Sequence, residues 1–265
     1  MARAAVLRRL TWQPAAVSEI RAETESASTL VFDVDDWPGH VAGQHVDVRL
    51  TAADGYQAQR SYSIASAGRP VRAPLEITVQ RVEDGEVSPY LVDVARTGDL
   101  VEVRGPVGGY FTWEPGDGGP VVAIAGGSGI VPLMAMARTH DRARAAATAP
   151  PTANADPTAT TGGDTNFRLV HAVRTPDDAI YAAELAEMPG IEVHYAYSRA
   201  VPEGWPERPG RLGGAALARL APVAAAPRVY LCGPTGFVET VANLLVDAGH
   251  EAARIRTERF GPTGG

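Results

Sequence analysis

The sequence predicts two domains, a small antiparallel β-barrel or sandwich followed by a doubly wound parallel α/β sheet. Three observations carry this. The chain has 265 residues, enough for two cores at roughly 100–200 residues per domain. From about residue 13 to 113 the pattern is short alternating segments bounded by Gly, Pro and Asp, the grammar of antiparallel strands. From about residue 117 onward, continuous apolar runs alternate with helical patterns, as in a parallel sheet covered by helices.

In the first half the alternating segments are STLVFDVDD, QHVDVRLT, LEITVQRV and DLVEVRGPVG, with one helical pattern, SPYLVDVA, between the last two. Period-2 alternation over several short strands with frequent turns suits a barrel. After GPVGGYFTWEPGDGG the run PVVAIA reads as a buried strand, followed by a glycine turn and a helical series, Ile130, Leu133, Met134 and Ala137. Further apolar strands are expected at FRLVHAV, IEVHYAY and RVYLCG, with helices at AIYAAELAEM and GFVETVANLLVDAG. Residues 143–166 are Ala, Thr, Pro and Gly with few large apolar side chains, so they are read as a flexible surface insertion that cannot offset its ordering entropy. The domains are therefore 13–113 and 117–265.

Composition removes several function classes. The net charge is −7, so no global basic field attracts nucleic acid. All 24 basic residues are arginine, which excludes a Schiff-base lysine and the lysine of a nucleotide-binding P-loop. A single cysteine, Cys232, excludes internal disulfides, a cysteine-ligated iron–sulfur cluster within this polypeptide and a cysteine-built zinc site. No metal site is expected. No run of about 18 apolar residues occurs, and the arginine-broken N-terminus does not suit a signal segment. A soluble, cytoplasmic protein is expected, monomeric by default.

Two constellations carry chemistry. Gly126–Pro132, GGSGIVP, follows a buried strand and opens a helix, where backbone N–H groups and the positive helix end receive a pyrophosphate. Its third fingerprint position is Pro132 rather than glycine, and Ile130 stands where a nucleophile elbow around Ser128 needs glycine. In the first half, Arg60, Tyr62 and Ser63 combine a guanidinium for phosphate, an aromatic face and a hydroxyl.

Five motifs occur in order: RSYS, GEVSPYL (Gly85–Leu91), GPVGGYF (Gly105–Phe111), GGSGIVP and VYLCGPTGF (Val229–Phe237). This set resembles the ferredoxin-NADP reductase family over nearly the whole chain, apart from the insertion and the first dozen residues. The resemblance implies a Greek-key β-barrel that binds FAD and an α/β domain that binds NAD(P). It places Arg60 on the FAD pyrophosphate, Tyr62 on the isoalloxazine and ribityl portion, and Ser63 near flavin N5. The backbone around Val79 would run beside the flavin, and Gly85, Val87 and Ser88 would form a second phosphate clamp, which favours FAD over FMN.

On the nicotinamide side the resemblance assigns the pyrophosphate to Gly127, Ser128 and Gly129, and sets Cys232, with Gly233 and Pro234, beside nicotinamide C4. Arg174, Ser198 and Arg199 match the contact to a 2′-phosphate, which implies NADPH; Asp177 and Asp178 nearby keep NADH open. RTERFGPTGG resembles the family's C-terminus, which implies a proton-relay or charge-stabilising role for Glu258 and an aromatic shield at Phe260, although the chain departs from the pattern by running past Phe260. The implied activity is hydride transfer from NADPH to FAD, with Ser63, Cys232 and Glu258 at the reacting atoms, then release of single electrons to a separate carrier protein such as a ferredoxin, a flavodoxin or a partner oxidoreductase. Two alternatives stay open: a flavin or ferric reductase with a small-molecule acceptor, and a redox-silent docking subunit.

Overall fold

The computed structural model describes residues 10–68, 74–148 and 166–261. Strands β1 (Gln13–Thr24), β2 (Ala27–Asp33), β3 (His45–Thr51), β4 (Gln57–Ser63), β5 (Leu75–Gln80) and β6 (Leu100–Val107) form an antiparallel sheet in the order β4-β3-β6-β1-β2-β5. A bridge between Ile64, just past β4, and Ile77 of β5 joins the two ends of that order, so the sheet closes into a barrel. Alternation fills it: Val46 and Val48 of β3 point into a core with Leu30, Phe32, Ile77 and Val103, while Asp47 and Arg49 stay outside.

Strand β2 breaks the alternation, being buried from Ala27 to Phe32. One face packs in the barrel; the other meets the second domain. There Thr29 Oγ1 shares a hydrogen bond of 2.7 Å with Thr78 Oγ1, which in turn bonds the hydroxyl of Tyr181.

The second sheet is parallel: β7 (Val121–Gly126), β8 (Phe167–Val173), β9 (Ile191–Tyr197), β10 (Arg228–Pro234) and β11 (Ile255–Phe260), in the order β11-β10-β7-β8-β9. Its helices are α1 (Ile130–Thr148), α2 (Ala182–Ala186), α3 (Gly214–Leu220) and α4 (Thr235–Asp247). Both faces are covered. Ala123, Leu133, Phe167 and Leu169 form the core under α1, and Val122, Ile124, Leu231, Val238 and Val241 form the core under α3 and α4. Neighbours Val122 and Ala123 thus enter opposite cores, which is why β7 reads as one apolar run.

Three expectations need correction. Helix α1 continues to Thr148, so residues 143–148 of the expected insertion are helical, and 149–165 lie outside the described residues. SPYLVDVA holds a single π-helical turn, Tyr90–Val94, and AIYAAELAEM a helix of only five residues. Strand β11 and helix α3 were not anticipated.

Arg138 of α1 holds the domains together. It forks onto Glu184 at 2.7 and 2.6 Å, and its Nη1 reaches the Ala65 carbonyl at 2.9 Å and Glu76 of β5 at 3.1 Å. No helix among the described residues is long and apolar enough to cross a membrane.

Candidate active site

In the strand order, β7 lies between β8 and β10, so the chain winds outward in one direction through β9 and then in the other through β11. The crevice at such a reversal, beyond the carboxyl ends of the strands, is where open parallel sheets take ligands. A cleft of about 740 Å³ opens there, between the sheet and the end of β5. Gln80 and Val82 line it from the barrel side; Gly127, Ser128, Arg174 and Phe260 line it from the sheet side.

The glycine loop is built by close packing. β7 ends at Gly126, a 3₁₀ turn spans Gly127–Gly129, and α1 begins at Ile130. A Cβ on Gly129 would press into the Cys232 carbonyl and come within 2.8 Å of Gly233 N. Gly126 and Gly233 both lie against the Phe237 ring, where a Cβ would stand 2.6 and 2.8 Å from its Cδ1. Gly127 has φ +53° and open space around it. Two glycines therefore let β7 and β10 share one aromatic neighbour, and a third seats the loop on β10.

Cys232 and Glu258 are direct neighbours in the parallel β10–β11 register. The Cys232 thiol is 1 % exposed, and burial, with the Glu258 charge second, pushes its pKa up. Burial also pushes the Glu258 carboxyl up to about 7, and its Oε2 is buried with no hydrogen-bond partner. The pair is a neutral thiol beside a carboxyl that titrates near neutrality. Ser63, half-buried at the end of β4, stands opposite His45 of β3 and does not line the cleft.

The barrel residues form a second group. Arg60 is exposed on β4, donates to the Gln59 carbonyl at 2.7 Å and lies 3.8 Å from Glu86. This contact brings Arg60 beside the loop that carries Gly85, Val87 and Ser88. Ser88 Oγ accepts from Val82 N at 3.1 Å, Gly85 N donates to Val82 O at 2.9 Å, and Val87 is fully buried at the head of the π-helical turn. Tyr62 packs half-buried against the barrel core, where burial raises its hydroxyl pKa. Val79 is fully buried in β5, next to Gln80 of the cleft.

Of the expected nucleotide contacts, Gly127, Ser128, Arg174, Ser198, Pro234 and Phe260 meet in the cleft. Gly129, Cys232 and Gly233 stand behind its floor. Arg199 is exposed and is not among the lining residues; Arg211, which sequence reasoning missed, is. Phe237 lies within a quoted motif, yet its place among the glycines is visible only in space.

Comparisons with known proteins bear on the two domains. Residues 14–112 match the oxidoreductase FAD-binding domain family and residues 123–243 the oxidoreductase NAD-binding domain family. The chain belongs to the ferredoxin-NADP reductase-like family. It is 32 % identical over 227 residues to the glycine betaine monooxygenase reductase subunit of Pseudomonas aeruginosa, covering 83 % of this chain and 56 % of that protein. The chain thus spans about half the length of that curated relative. Among solved structures, the flavohem-like FAD/NAD-binding domain of nitric oxide dioxygenase from Vibrio cholerae superposes with a TM-score of 0.77 at 25 % identity, covering 94 % of this chain and 99 % of that one. The Amycolatopsis cytochrome P450 reductase gives 0.77 at 27 % identity, covering 96 % and 71 %.

The residues present fit the two cofactors of a ferredoxin-NADP reductase-like chain. Arg60 is committed only to a neighbouring carbonyl and a distant exposed carboxylate, a pairing worth little in water, so its fork can turn to a phosphate. On the other cofactor's side, α1 runs 19 residues from a glycine turn whose first residue has open space, and the unpartnered Glu258 Oε2 is a buried acceptor that a bound group can satisfy.

Proposed function

We propose that this chain is an NADPH-oxidising FAD reductase that delivers electrons to a separate acceptor protein. The observation that carries the reading is the convergence of the glycine loop and the end of β5 on one interdomain crevice, with Cys232 packed behind the glycine loop and Glu258 beside it in register. When bound, the flavin supplies the conversion of a hydride into electrons released one at a time.

The chain's own residues bind, orient and exclude water. Backbone N–H groups of Gly127, Ser128 and Gly129 at the start of α1 receive the nucleotide pyrophosphate. Arg174 and Arg211 bring positive charge to the same cleft, with Ser198 beside them, and Arg199 flanks it; together they favour a 2′-phosphate. Asp178, the lining carboxylate that would favour NADH, already accepts from Thr175 N at 2.9 Å and Thr175 Oγ1 at 2.7 Å, which supports NADPH. On the barrel, Arg60 and the loop of Gly85, Val87 and Ser88 clamp the FAD phosphates, while Tyr62, Ser63 and the backbone at Val79 hold its ring. Cys232, neutral and buried, with Gly233 and Pro234, shapes the floor under the nicotinamide. Glu258 holds or yields a proton at Oε2, and Phe260 covers the cleft.

The acceptor is assigned to a separate protein because the matched relatives are, by name, a monooxygenase reductase subunit and a cytochrome P450 reductase. Anaerobic titration of the purified protein, first with NADPH and then with NADH, tests the reading through the visible flavin spectrum. Bleaching at lower NADPH than NADH is expected. A protein that retains no FAD, or is not bleached by either nucleotide, refutes it.

A further inference from the structure

His171 has no role in the cleft as described so far. It lies in β8, fully buried, in register with Ala125 of β7 and Tyr195 of β9. Its Nε2 is 3.0 Å from the Gly127 carbonyl oxygen. A carbonyl only accepts, so Nε2 carries the proton and Nδ1 presents a bare lone pair. That Nδ1 is buried and has no hydrogen-bond partner. Burial holds the ring's pKa down to about 4, so the neutral tautomer is the working form.

The Gly127 carbonyl also accepts the N–H of Ile130. With both lone pairs engaged, the plane of the Gly127–Ser128 peptide is fixed. This peptide is trans, and in a planar trans peptide the C=O and N–H point to opposite sides. The oxygen points inward at His171, so the Ser128 N–H points the other way, and Ser128 lines the cleft. Gly127, with φ +53° and no atom within 4 Å of the position of a Cβ, leaves the peptide free to adopt other orientations unless something selects one.

We propose that His171 is a positioning residue for the pyridine nucleotide, donating from Nε2 to the Gly127 carbonyl and thereby aiming the Ser128 N–H at the nucleotide's phosphate. The inference rests on the reading of the cleft as a pyridine-nucleotide site. It separates affinity from stability. A buried nitrogen without a partner opposes folding, so an apolar side chain of similar size should hold β8 at least as well while releasing the loop.

The test is isothermal titration of NADP⁺ into the FAD-loaded full chain, with thermal unfolding measured in parallel. His171→Leu and His171→Met, which cannot donate, should weaken NADP⁺ binding roughly three- to tenfold, the loss of one hydrogen bond, with Tm and FAD content unchanged. His171→Gln, whose amide can donate in place of Nε2, should restore affinity to within about twofold on the same basis. Wild-type affinity in both apolar variants overturns the inference alone, as does a loss of affinity matched by a fall in Tm. A wild-type chain that binds neither NADP⁺ nor NAD⁺ overturns the reductase reading and this inference with it.

Discussion

Glu258→Gln should make the protein more stable and the enzyme slower, and the stability gain should depend on pH. Burial raises the Glu258 carboxyl from its ordinary value of 4.5 to about 7, and Oε2 has no hydrogen-bond partner. Below pH 4.5 the group is protonated in both folded and unfolded chains and has no differential effect. Between pH 4.5 and 7 the unfolded chain releases the proton while the folded one retains it, so stability falls as pH rises. Above pH 7 the loss is complete. At 1.36 kcal/mol per pKa unit, the rise amounts to about 3 kcal/mol.

Glutamine keeps the shape and carries no charge, so it removes this dependence. At 2–4 °C per kcal/mol for a chain of this size, Glu258→Gln should raise Tm by roughly 6–12 °C at pH 8 and by close to nothing at pH 4. The assay is thermal unfolding of both proteins, FAD-loaded, at pH intervals from 4 to 8.5, with the rate of flavin reduction by NADPH measured on the same samples. A Tm difference that does not grow across this range, or a variant less stable than wild type at pH 8, refutes the account of Glu258 as a carboxyl held against its burial penalty. A stabilised variant with an undiminished reduction rate would leave the residue without a part in proton handling.

The remaining predictions concern the cleft and the domain junction. Arg211→Ala should raise the NADPH KM about tenfold more than the NADH KM, as for a lost charged contact, and Arg199→Ala, outside the cleft lining, should shift the ratio less; equal shifts for both nucleotides would remove the NADPH assignment. Gly129→Ala should abolish nucleotide binding, because its Cβ meets β10 backbone that cannot yield, whereas Gly127→Ala, in open space at positive φ, should cost only about 1 kcal/mol; similar losses in denaturant titration would contradict the packing. Arg138→Met should cost about 3 kcal/mol, the low end for a broken buried pair because Arg21 still holds Glu76 at 2.8 Å. An unchanged Tm would show that this junction contributes no stability.

The barrel and the parallel sheet were legible because each is written in a periodicity: β3 alternates, and β7 is apolar throughout because its two faces feed two cores. The glycine loop was legible because a glycine run between an apolar strand and a helical series signals close backbone approach, as at Gly126 and Gly129, or a positive φ, as at Gly127. Glu258 and Cys232 could be named from motifs, but not their pairing or the carboxyl's displacement, since both arise from the β10–β11 register and from burial, which are properties of the assembled sheet. The domain junction was illegible for a related reason. Thr29 and Thr78 look like ordinary strand residues, and only the packing of Tyr181 over them turns them into a buried hydrogen-bond chain.

Arg211 shows how chain direction defeats local reading. Arg199 follows β9 directly and so attracts attention, yet its backbone N–H bonds Arg174 O at 2.9 Å and the chain leads outward from there. The loop then returns, Gly210 N donating to Tyr197 O at 2.8 Å, which sets residue 211 back at the end of the strand that residue 199 has just left. The arginine nearest β9 in sequence is therefore not the one that lines the cleft. Arg211 and Arg174 both line the cleft that a 2′-phosphate would enter, so nucleotide choice in this chain should depend more on the return of the loop than on the dipeptide that follows the strand.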